Sequence, residues 1–354
     1  MRMGGLVAAG SAILLLAGAF LIFAARPVPL PPPSGALGID HRVLHPTFDD
    51  PVAATPIVEL WYPTGGAAPW PVLVYLPSWT GTEIENLSTI RDLVSHGFAV
   101  VGLRYPTAAE VADSEKSGQV LRAELPGEMD FSSEEAFQKT LRLGNERVRL
   151  RARNVAAVLD YLTRLNLEPS GEFASRLDLN RVGAWGFSLG GAAAAQAAWF
   201  DRRIKVAANL DGWLFADAAT EGLPCPYLLI GDASPLPGPA DLNSSNPKRR
   251  LPAIFDTQDY ERQVAGLSRS GGFIVTIDGT EHLNFADAAA RSRFGHLNGA
   301  GSIDPRRALT ITNAYLAGFF EVYLQGRPSP LLVDGAAPYP EAHLQVFGHG
   351  DARS

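Results

Sequence analysis

The chain has 354 residues, a formal net charge of -7, 46% hydrophobic and 19% charged residues; that is the balance of a folded protein long enough for one large α/β domain or two small ones. The acidic balance, with no basic stripe interleaved with aromatics, argues against nucleic acid as the main partner. A single cysteine, Cys225, excludes an internal disulfide and a Cys-based zinc site, and the seven histidines (His41, His45, His96, His282, His296, His343 and His349) form no H-E-x-x-H or H-x-x-E-H pattern, so neither a metal nor a cofactor is expected.

In chain order, Arg2 precedes an uncharged run over residues 3–25, which reads as a signal-peptide core or an N-terminal membrane anchor. Arg2 and the terminal amine outweigh Arg26, so the positive-inside rule keeps the N-terminus cytoplasmic and exports the rest to the periplasm or beyond. No cysteine follows, which excludes a lipoprotein anchor. Residues 26–36 are a stiff proline-rich spacer. A single domain is expected over 37–326, with residues 327–354 a tail that wraps the surface or frays.

Within that domain, short apolar runs alternate with helical patterns. Residues 56–63, 70–77 and 98–106 read as strands, the last two with continuous apolar content that suits burial on both faces. Residues 83–97 and 145–166 are amphipathic helices. Further strand patterns begin at Arg181, Ile204, Cys225 and Phe273, and residues 304–326 form a closing helix. The alternation predicts a mainly parallel sheet of about eight strands with helices on both faces. Two stretches look like insertions, the polar segment 107–140 and the turn-rich segment 233–251.

Gly186-Phe187-Ser188-Leu189-Gly190 fits G-x-S-x-G, with a strand pattern before it and an alanine-rich helix pattern after it. That is the setting of a nucleophile elbow, in which glycines let strand and helix approach and a helix N-terminus faces the serine. In this α/β-hydrolase reading an acid and then a histidine follow the serine along the chain. His282 lies just past a strand pattern and is the favoured base. Asp211 and Asp232 both end strands between Ser188 and His282; Asp278 ranks third. Spacing does not separate the first two.

The stretch over residues 182–215 resembles the platelet-activating factor acetylhydrolase family of serine esterases. Asn209-Leu210-Asp211-Gly212-Trp213 and His282-Leu283-Asn284-Phe285-Ala286-Asp287 match family motifs. The resemblance covers roughly residues 37–326. It implies Asp211 rather than Asp232 as the acid, and short-chain acyl esters or phospholipids with a short acyl group as substrates. One departure stands out. The family's oxyanion loop reads His-Gly, an apolar residue, then Gly; here the sequence is Leu76-Pro77-Ser78-Trp79-Thr80-Gly81. By position, the backbone N–H groups of Trp79 and Leu189 become the expected oxyanion donors, since a backbone donor needs no particular side chain.

The expectation is therefore an exported serine esterase acting through an acyl-enzyme on a small ester or lipid, with the membrane a partner if the N-terminal segment is retained. A polyester- or cutinase-like depolymerase and a serine peptidase are the alternatives within the same chemistry. A catalytically inactive, membrane-tethered binding protein is the alternative from a different class.

Overall fold

Every residue of Trp70–Leu76 is buried, as a strand covered on both faces requires. This strand sits inside the sheet of the computed structural model, which describes residues 28–46, 54–117, 121–293, 296, 299–335 and 338–348. The proposed signal or anchor over residues 1–25 lies outside the described residues. Among those described, no helix is long and apolar enough to cross a membrane.

The strands are β1 (Gly38–Leu44), β2 (Ile57–Thr64), β3 (Trp70–Leu76), β4 (Ala99–Arg104), β5 (Leu177–Phe187), β6 (Ile204–Leu210), β7 (Tyr227–Asp232), β8 (Gly272–Ile277) and β9 (Ala342–Phe347). They form one 9-stranded sheet in the order β1-β2-β4-β3-β5-β6-β7-β8-β9. Strands β4, β3 and β5 to β8 run parallel; β1, β2 and β9 join antiparallel at the two sides.

The helices are α1 (Leu87–Ser95), α2 (Ala108–Ser117), α3 (Glu134–Leu167), α4 (Leu189–Phe200), α5 (Ala216–Glu221), α6 (Pro239–Leu242), α7 (Pro247–Ser270), α8 (Asp287–Arg291) and α9 (Pro305–Phe320). Strand alternation sends Val72, Val74 and Leu76 into one core layer and Leu73 and Tyr75 into the other. The first layer is closed by α3, α4, α5 and α7, the second by α1 and α9. The alanines of α4 are almost wholly buried. A helix apolar all round belongs inside, and its small side chains let it lie close to the sheet.

The structure differs from the sequence reading in three places. Helix α3 begins at Glu134, well before residue 145, because Ser133 caps it by accepting from the Ala136 N–H and acidic residues fill its first turn. The segment expected as a turn-rich insertion contains the short helix Pro239–Leu242 and, from Pro247, the start of α7, which runs on to Ser270. The sheet also continues beyond residue 326: β9 pairs along the whole of β8 where a surface-wrapping tail was expected.

Candidate active site

The chain leaves β3 for β4 on one side and returns to β5 on the other, so the strand order reverses at β3. In open parallel sheets the crevice outside the carboxyl ends at such a reversal is where ligands bind. Two loops meet there: residues 77–81 after β3 and the β5–α4 turn that carries Ser188.

Ser188 has φ 56 and ψ -126, a conformation costly for a residue with a side chain. The surroundings hold it there. Its N–H donates to the Leu210 carbonyl at 2.8 Å, and its carbonyl accepts from the Gly191 N–H at 2.9 Å. The flanking glycines are sterically required. A Cβ on Gly190 would stand 2.1 Å from the Leu76 carbonyl oxygen, and one on Gly186 would stand 2.4 Å from the Gly190 carbonyl carbon.

His282 lies on the turn after β8, at the start of a short 3-10 segment (His282–Phe285). Its Nε2 is 3.1 Å from Ser188 Oγ and its Nδ1 is 2.6 Å from Asp211 Oδ2. An ionised carboxylate can only accept, so Nδ1 carries the proton and Nε2 presents its lone pair to the serine hydroxyl. The ring packs against Phe187, with centroids 4.8 Å apart. Asn284 locks the turn from beneath: its Oδ1 accepts from the N–H groups of Glu281 and Gly301.

Asp211 follows β6 and also has positive φ, 55. Its N–H donates to the Ile230 carbonyl at 2.8 Å. Asp232, the other aspartate singled out from the sequence, is its neighbour and makes no hydrogen bond to the histidine. The Asp232 N–H reaches Asp211 Oδ1 at 3.4 Å, while its own Oδ1 accepts from the Ser234 N–H. Asp278 faces the C-terminal segment instead, 2.9 Å from His343 Nε2.

The turn after Asp211 is held by residues to which the sequence reading gave no role. Buried Asn209 accepts from the Gly212 N–H at 2.9 Å and donates to the Gly212 carbonyl and to Tyr227 Oη. Helix α7 presents Asp256, Asp259 and Gln263 on one face, at helical spacing. Asp256 accepts from Trp213 Nε1 at 2.6 Å, Asp259 accepts from the Leu214 N–H at 2.8 Å, and Gln263 Nε2 donates to Asp259 at 2.7 Å. Burial pushes the Asp259 carboxyl up to about 7 and outweighs the two donors that favour its charge. Asn-x-x-Gly after a strand was the visible signal for this turn. An inward-facing polar stripe on α7 had no apolar period to reveal it.

Ser188, Leu189, Asp211, Asp232, His282 and Trp79 all line one cavity of about 630 Å³. Its walls include five aromatic side chains, Trp79, Phe131, Trp213, Phe215 and Tyr260. Such a cavity suits an apolar ligand fixed by a few polar groups. Among the described residues, no cluster of His, Cys, Asp or Glu side chains is arranged to hold a metal ion.

Comparison with known proteins adds the relationship. Residues 64–327 match the family described as platelet-activating factor acetylhydrolase, isoform II. The chain is 24% identical over 286 residues to an Arthroderma benhamiae protein named "Probable 1-alkyl-2-acetylglycerophosphocholine esterase", covering 77% of this chain and 65% of that one. It is 26% identical over 262 residues to the platelet-activating factor acetylhydrolase of Bos taurus, covering 66% and 52%. This chain thus spans between half and two thirds of the length of these curated relatives. The fold is similar to that of a ferulic acid esterase from Streptomyces cinnamoneus, with TM-score 0.58, 22% identity, and coverage of 91% of this chain and 98% of that one.

Proposed function

Since the chain belongs to the platelet-activating factor acetylhydrolase isoform II family, we propose that it is a serine ester hydrolase acting on short-chain acyl esters, phospholipids with a short acyl group among them. The observation that carries this reading is the unbroken hydrogen-bonded run from Ser188 Oγ through His282 to Asp211 at the wall of the cavity.

A serine hydroxyl attacks only when a base takes its proton. His282 Nε2 accepts that proton as Ser188 Oγ bonds to the ester carbonyl carbon. Asp211 holds the ring in the correct tautomer and stabilises the imidazolium. The carbonyl oxygen becomes an oxyanion, which the N–H groups of Trp79 and Leu189 receive; Leu189 opens α4, so the helix N-terminus adds its partial positive charge. His282 then gives its proton to the departing alcohol, and a water activated by the same ring releases the acyl group. No step needs a cofactor.

The uncharged run over residues 3–25 supports export and is part of this proposal; so is a catalytic unit that begins near residue 37 and includes β9.

A series of p-nitrophenyl esters of increasing acyl length tests the reading. Activity is expected to be highest on the shortest chains and to fall at least about 10³-fold in Ser188→Ala. An active Ser188→Ala enzyme, or a native protein that a fluorophosphonate fails to label, overturns it.

A further inference from the structure

Arg147 and Arg151 stand one turn apart on the same face of α3, and both are buried. Buried arginines are rare and need partners. Arg151 pairs with Glu124, with Nε to Oε1 and Nη2 to Oε2 both at 2.7 Å. Its remaining nitrogen, Nη1, donates to the Pro77 carbonyl at 2.6 Å and to the Ser78 carbonyl at 3.0 Å. Arg147 Nη1 donates to the next carbonyl in the chain, that of Trp79, at 2.9 Å. Its guanidinium also lies over the Trp79 ring, 4.7 Å from the centroid. Three consecutive carbonyls of the loop after β3 are thus held from the α3 side. On the other side, Glu85 accepts from the Ser78 N–H at 2.9 Å and from its hydroxyl.

One of these bonds bears on chemistry. The Ser78 carbonyl and the Trp79 N–H belong to the same peptide plane, and in a trans peptide they point in opposite directions. A guanidinium that fixes the carbonyl toward α3 therefore fixes the N–H away from α3. Trp79 and Ser188 line a common cavity.

We propose that Arg151, buttressed by Arg147, is a positioning residue for the oxyanion hole: it sets the direction of the Trp79 N–H through the Ser78 carbonyl. The proposal rests on the reading of Trp79 as an oxyanion donor. It also explains the polar insertion over residues 107–140. That segment supplies Glu124, which orients Arg151, and the Gly127 carbonyl, which accepts from Trp79 Nε1 and Arg147. The departure from His-Gly in the loop is then matched by a brace that comes from elsewhere in the chain.

The test measures kcat, KM and Ki for a trifluoromethyl ketone, whose serine adduct carries an oxyanion, in the full chain. Lysine keeps the charge but cannot serve Glu124 and two carbonyls in one plane. Arg151→Lys is therefore expected to lower kcat about 10–100-fold, part of the 10²–10³ that a whole donor supplies. Ki should rise in parallel, with KM within about twofold. The double variant Arg151→Met/Glu124→Gln, which removes both charges of this pair and leaves Arg147 on its carbonyl partners, should do the same if Arg151→Lys folds poorly. A fall in Tm with kcat and Ki unchanged in both variants overturns the proposal. Trp79→Pro removes the N–H itself, and Trp79→Ala keeps it. If Trp79→Pro retains the kcat of Trp79→Ala, the donor reading fails and the proposal falls with it. If Trp79→Pro is impaired but the Arg151 variants are not, only the positioning role falls.

Discussion

Asp211 and Asp232 end adjacent strands; the resemblance of Asn209–Trp213 to the family motif implies Asp211, but strand pattern and spacing alone do not separate the two. Their backbones do. Asp211 sits at positive φ, which turns its carboxylate onto His282, whereas Asp232 bends its carboxylate back to its own loop at Ser234. Asp211→Asn is expected to lower kcat by roughly 10³–10⁴-fold, because an amide no longer fixes the donating tautomer; Asp232→Asn should leave kcat near wild type. Steady-state kinetics on p-nitrophenyl acetate separates the two, and the opposite ranking would move the acid to Asp232. A second prediction concerns the elbow. Gly190→Ala sets a methyl group 2.1 Å from the Leu76 carbonyl oxygen, which the backbone cannot evade without opening the β3–β5 pairing. A loss of about 2–4 kcal/mol in denaturant unfolding is expected. At this scale the sequence was informative where a short motif fixes local geometry, as around Ser188 and His282. It was silent where a buried side chain such as Arg151 works through a carbonyl distant in the chain.

Among the elements, α7 is the one with an unforeseen part in the site. Its inward face carries Asp256, Asp259 and Gln263, so the search for apolar residues at helical spacing finds little there, and Pro252 interrupts the pattern further. Its effect is measurable through pH. The Asp259 carboxyl titrates at about 7 in the fold against 3.8 for a free side chain. The folded state therefore binds this proton more tightly than the unfolded chain. The corresponding stability is full below about pH 4 and is lost as pH rises towards 7, amounting to a few kcal/mol in order of magnitude. Other carboxylates titrate in the same range, so the difference between variant and wild type is the observable. Urea unfolding of Asp259→Asn relative to wild type should show a gap that shifts in favour of the variant between pH 4 and 7 and is flat above. A gap independent of pH would mean that Asp259 is charged in the fold throughout. The parallel strands, by contrast, were easy to read, because burial on both faces leaves a continuous apolar run such as that of β3.

For the molecule as a whole, the segment after residue 326 is part of the architecture. Strand β9 pairs with β8 from Gly272 to Ile277, and Glu341 accepts from the Asp278 N–H at 2.8 Å. The loop that bears His282 begins where this pairing ends. Removal of residues 342–354 is expected to lower Tm by roughly 5 °C or more and to reduce kcat, as a thermal melt and an ester assay would report; an unchanged Tm would make β9 dispensable. The sequence hid this strand because its partner lies far upstream, and pairing of that kind leaves no local mark. Sheet order has the same character: alternating strand and helix patterns announced a parallel sheet, but not which strands are neighbours.

The same remoteness governs when the protein becomes reactive. The histidine meets its serine across 94 residues and its aspartate across 71, and neither meeting can occur in a hairpin. The intervening parallel strands must first find their order, which is the slow, non-local part of folding. A newly made chain that has regained its helices but not the sequence of strands from β5 to β8 holds a serine no more reactive than one in water. Acylation competence is thus a late clock of assembly, and the proposed active site is silent until the topology is complete.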